Sequence, residues 1–130
     1  MSAKRIETFE EACKAQKLNP KKCLPDVSVL PEKDRNAVTA FAKMCIINRS
    51  LNGDWVADWS NYDQRKYAPW YDVVEDSSKA SGFSLSFDGC DCGHGGTSVG
   101  VRLFYKDSET CEHAAKTFIS LYEDMILVPR

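Results

Sequence analysis

A chain of 130 residues with 43% hydrophobic and 11% aromatic content is sized for one domain over residues 1–130, and its composition excludes a disordered or low-complexity polymer. Its apolar runs are too short to span a bilayer, and the start MSAKRIETFEE lacks the apolar stretch of a secretion signal, so the expectation is a protein that stays where it is made. The net charge is only −2, yet residues 1–53 hold ten Lys/Arg against six Asp/Glu, while residues 54–76 hold two against six.

Thr8-Phe9-Glu10-Glu11 fits a capping box, with Phe9, Ala12 and Cys13 on one helical face, and this first helix ends before Pro20. The stretch LNPKKCLPDVSVLPEKD reads as an irregular loop. Pro31 suits a first helical turn, and Val38, Phe41, Ala42, Cys45 and Ile46 form the stripe of a second helix closed by Asn52-Gly53.

Residues 52–71, NGDWVADWSNYDQRKYAPWY, carry all three tryptophans and three of the five tyrosines, interleaved with Asp54, Asp58, Asn61 and Asp63. Rings at this density are either core or a contact surface. The size of the indoles favours Trp55 and Trp70 inside, leaving Tyr62 and Tyr71 at the surface. Trp59, Tyr62, Arg65 and Tyr71 are the candidate partner- or ligand-binding residues. A nucleic-acid groove needs cations to neutralise phosphate, and this acidic segment has the opposite sign. The aspartates do not match a calcium loop and read better as turn and cap residues.

Residues 67–74 look extended, with Pro69 suggesting an edge strand. Phe83, Leu85 and Phe87 alternate with serines, and Val99, Val101, Leu103 and Tyr105 alternate on the way back from a turn at Gly95-Gly96. Asp107 or Ser108 caps a last helix whose buried face is Cys111, Ala114, Ala115, Phe118, Tyr122 and Met125. The expected order is α-α-β-β-β-α. This is an α+β domain, an antiparallel meander of about three strands packed against two to three helices.

Two thiols and an imidazole in Cys90-Asp91-Cys92-Gly93-His94, with Cys111 and His113 further on, supply donors that zinc prefers. Cys90, Cys92, His94 and His113 are the metal candidates. Their C-x-C-x-H spacing departs from the C-x2–4-C of structural zinc sites, so a glycine-rich turn with incidental cysteines is the simpler reading. Without a secretion signal the six cysteines are expected reduced. No phosphate-cradling motif appears, and adjacent carboxylate pairs such as Glu10/Glu11 face different directions on a helix. No catalytic residue is assigned and no enzyme is expected.

The succession LPDVSVLPEKDR (24–35), LNGDWVADWSN (51–61), KYAPWYDV (66–73), GFS (82–84), VGVRLFYKDSE (99–109) and AAKTFISLY (114–122) resembles small uncharacterised proteins of bacteriophages and prophages of gut anaerobic bacteria. The resemblance departs at Gly89–Gly96, where cysteines sit. It implies a location in the host cytoplasm or the virion and carries over no catalytic residue. Three functional expectations follow. The first is a non-enzymatic protein acting by protein–protein contact, as a minor virion or assembly component or a host-directed factor. The second is a module binding or sequestering a small, nucleotide-type ligand, with Arg65, Lys66 or Arg102 meeting phosphate. The third is a zinc-stabilised interaction domain. A protein partner of unknown identity is expected, and a homo-oligomer is compatible with exposed rings.

Overall fold

The computed structural model describes residues 5–98 and 102–130, in the order α1 (Phe9–Ala15), α2 (Glu32–Asn52), β1 (Lys66–Glu75), β2 (Phe83–Gly93), α3 (Ser108–Thr117) and α4 (Ile119–Ile126). The class is α+β. Thr8 caps α1 by accepting a hydrogen bond from the Glu11 amide, and Asp107 caps α3 by accepting from the Thr110 amide at 2.7 Å. Gly53 closes α2 with φ +62°, a conformation that costs a residue without a Cβ little.

β1 and β2 form an antiparallel pair with partners from Lys66↔Gly93 to Glu75↔Phe83. The register shifts between Trp70 and Tyr71, which pair with Gly89 and Phe87, so Asp88 is the unmatched residue of a β-bulge. β2 is longer than the alternation at Phe83–Phe87 predicts. The hairpin tip is the 76–82 loop, not Gly95-Gly96, and Cys90 and Cys92 therefore lie within β2.

Among the described residues the expected third strand reduces to one bridge, Tyr67↔Tyr105. Val99 and Val101 lie outside the described residues. Leu103, Phe104 and Tyr105 are buried in succession, which an alternating strand does not permit. The Phe104 carbonyl is taken by the side-chain amides of Asn48 (2.7 Å) and Asn52 (2.8 Å), and the Lys106 amide donates to Asn52 Oδ1 (3.1 Å). Helix side chains thus satisfy backbone groups that a strand ladder would otherwise take.

The core joins Ala12 of α1, Met44 and Ile47 of α2, Leu85 of β2, Leu103 and Tyr105, Cys111 and Ala114 of α3, Phe118 between the last two helices, and Tyr122 of α4. The expected stripe Cys111–Tyr122 is buried, with Met125 packed at its margin. The helix nevertheless breaks at Phe118 (φ −109°, ψ 28°), within the Thr117-Phe118-Ile119 run of stiff β-branched and aromatic residues. Inside this core the Tyr105 and Tyr122 hydroxyls hydrogen-bond each other at 2.8 Å. No helix among the described residues is long and apolar enough to cross a membrane.

Candidate functional site

The aromatic segment leaves α2 at Gly53 and returns to the fold at Lys66. Between them the chain is organised by short-range polar bonds. Asp58 accepts from both the amide (3.0 Å) and the hydroxyl (2.6 Å) of Ser60, and those bonds hold its carboxyl below the usual range. Gln64 accepts from the Asp58 amide at 2.6 Å and donates to the Val56 carbonyl at 3.0 Å, closing the loop on itself.

Beneath the loop lies Lys66, 0% exposed. Its ammonium donates to the carbonyls of Asn61 (3.3 Å), Gln64 (3.1 Å) and His94 (2.9 Å), and it sits 5.0 Å from the centre of the Trp59 ring. Three carbonyls and a π face use the three donors of a group that would otherwise be costly to bury. Lys66 therefore fastens the aromatic loop to the end of β2 and is not available to bind a ligand phosphate. Arg65 is exposed, and the neighbouring Tyr67 phenol raises its pKa.

The rings are placed differently from the expectation based on size. Trp70 is 57% exposed, whereas Tyr71 turns inward, its hydroxyl donating to the Ala115 carbonyl at 2.6 Å and its ring 5.5 Å from that of Tyr122. Strand parity decides this. Tyr71 shares a face with Phe87 and Leu85, which meets the helices, and Trp70 alternates outward. Burial pushes the Tyr71 phenol far up, as suits a hydrogen-bonded ring packed against the helices. Tyr62 is exposed at 70%, as expected. Its ring lies against Gly95, where a Cβ would come within 2.7 Å of it, and its carbonyl accepts from His94 Nδ1 at 2.9 Å. Trp59 is 41% exposed with its ring edge-on to Phe104 at 5.4 Å, and Trp55 is half-buried rather than core. Asp54, Asp58, Asp63, Asp72 and Glu75 are all exposed. Trp59, Tyr62 and Trp70 are thus the exposed rings of an acidic segment, while Tyr71 packs half-buried against the core.

The four metal candidates are not brought together. Cys90 turns toward the Cys111 thiol and donates to the Ser108 carbonyl at 3.9 Å. Cys92 is exposed on the strand. His113 Nε2 donates to the Ile6 carbonyl at 2.7 Å on a different part of the molecule. Among the described residues no three His, Cys, Asp or Glu side chains assemble as ligands for a metal ion. Neither imidazole is hydrogen-bonded to a thiol or a carboxylate in the manner of a base activating a nucleophile.

On its inner side the segment walls a cleft of about 340 Å3, with α2 as the other wall and Arg102–Phe104 as the floor. Cys45, Arg49 and Asn52 face it from successive turns of α2, opposite Trp55 and Trp59. Burial raises the Cys45 thiol pKa, and the guanidinium groups of Arg102 and Arg49 act against that shift. The sequence names Arg102 as a candidate but not Arg49 or Cys45, because Cys45 reads as part of the apolar stripe of α2 and only the fold sets Arg49, one turn on, at the same cleft. No family model, characterised protein or solved structure matches the chain.

Proposed function

We propose that this protein acts by binding rather than by catalysis, and that the outer face of the aromatic segment and β1 is its contact surface for a basic protein partner. One observation carries the reading: Trp59, Tyr62 and Trp70 stand exposed in the segment that also exposes five carboxylates. Exposed tryptophan and tyrosine are the residues that most often dominate binding energy at protein interfaces. The carboxylates give the surface a sign that steers and selects a cationic partner. The loop beneath is pinned by Lys66, so the rings are held before a partner arrives and less ordering entropy is lost on association. With the resemblance to small phage proteins, the partner is a virion or host component.

The test is quantitative capture with the intact protein and a Tyr62→Ser/Trp70→Ser variant whose circular dichroism and melting temperature match the parent. The reading expects a partner retained by the parent at low salt, released as salt rises, and lost to the variant. Identical capture by both proteins would sink it.

A further inference from the structure

We infer that the cleft between α2 and residues 55–59 is a binding site for a small ring-bearing organic anion, such as a nucleoside monophosphate or an aryl carboxylate. Among the described residues the cleft is lined by two cationic side chains, Arg49 and Arg102, and by no carboxylate, although the same segment exposes carboxylates elsewhere. Among the described residues neither guanidinium makes a hydrogen bond or an ion pair with another side chain. Each carries five N–H donors in a planar fork matched to carboxylate or phosphate.

The other polar groups of the cleft are already committed. Gln16 Nε2 donates to the Ile46 carbonyl (2.7 Å) and Ser50 Oγ (2.5 Å), and the Asn48 and Asn52 amides hold the Phe104 carbonyl. Among the described residues the arginines are the unengaged charged donors of the cleft, and the fixed amides give them a rigid floor. Trp55, half-buried and without a ring partner among the described residues, offers its indole to a ligand ring, while Trp59 is held against Phe104 and Lys66. A volume of about 340 Å3 suits one ring and one anionic group, at the small end of the roughly 300–1,000 Å3 of ligand sites.

The cleft shares Trp59 with the outer contact face but uses neither Tyr62 nor Trp70, so the arginine variants and the Tyr62/Trp70 variant test the two readings separately. The experiment is isothermal titration calorimetry of the full chain with adenosine monophosphate, indole-3-acetate and adenosine, repeated on Arg49→Gln and Arg102→Gln. Both arginines are exposed, so the variants are expected to melt with the parent. The expected result is saturable binding of at least one anion, weakened about tenfold or more by each substitution and nearly lost for uncharged adenosine. Which anion binds separates phosphate from carboxylate recognition. Absence of saturable heat from both anions, affinity that survives either substitution, or adenosine binding as tightly as its monophosphate would each overturn the inference.

Discussion

Two ends of this molecule are held together by different physics. The helical end, where α2, α3 and α4 close over Leu85 and Tyr105, is built from apolar burial, with Met44 and Ile47 fully enclosed and one buried hydroxyl pair at its centre. The aromatic end contains the largest side chains in the sequence and buries them least. It is organised instead by Asp58, Gln64 and the buried Lys66, whose bonds run mostly to backbone carbonyls and amides. Big rings alone do not make a core. At this end polar pins hold the rings in place and leave their faces partly open, which is what a recognition surface requires.

Substitutions at the two ends should separate the mechanisms. Met44→Ala removes buried volume from the helical core and is expected to cost about 3 kcal/mol in chemical denaturation. Native tryptophan emission should be unchanged, because no indole packs in that cluster. Lys66→Met is expected to cost about 2 kcal/mol and, unlike Met44→Ala, to shift native tryptophan emission, because three carbonyls lose their donor and the loop carrying Trp55 and Trp59 loosens. An unshifted emission spectrum in that variant would erase the contrast between the ends.

The helix cap at Asp107 sharpens the comparison by pH. Burial works against its ionisation, but hydrogen bonds from Thr110 outweigh that and hold the carboxyl below its ordinary value. A depressed folded pKa stabilises the protein above the unfolded value, roughly pH 4, and this contribution disappears as pH falls through the lower folded value. Asp107→Ala should therefore cost about 1 kcal/mol at neutral pH and lose its effect under acid, measured as urea midpoints from pH 7 to pH 2. The smallest effect is expected at Cys92, exposed on β2. Cys92→Ser should leave the melting temperature unchanged with added zinc or with chelator, and a large zinc-dependent drop would return the thiols to a structural metal site.

Much of the helical end was legible in the sequence because its signals are local. Thr8 and Asp107 cap where their side chains predict, Asn52-Gly53 ends α2, and the Cys111–Tyr122 stripe is the buried face. The aromatic end was less legible because its determinants are long-range or depend on parity. Ranking rings by size put Trp70 inside, but the pleat put Tyr71 there, and only the pairing with β2 reveals which face meets the helices. Lys66 reads as a surface charge until the carbonyls of Asn61, Gln64 and His94 converge on it. The alternation ending at Tyr105 suggested a strand, yet two asparagines on α2 took the Phe104 carbonyl, which no period in the sequence announces.

The unmatched Asp88 opposite Trp70-Tyr71 acts like a frameshift in the strand's inside–outside alternation. Beyond Gly89, whose φ of +154° lets the backbone absorb the extra residue, the facing of every later side chain is set by that one insertion. Were Asp88 instead paired with Trp70 in an unbulged ladder, every later residue would move one partner along, rotating Cys90 out to water and turning Asp91 toward α3. A strand more regular by one residue would thus place a carboxylate where a half-buried thiol now meets Cys111, and straightening the sheet would be paid for at the helix it covers.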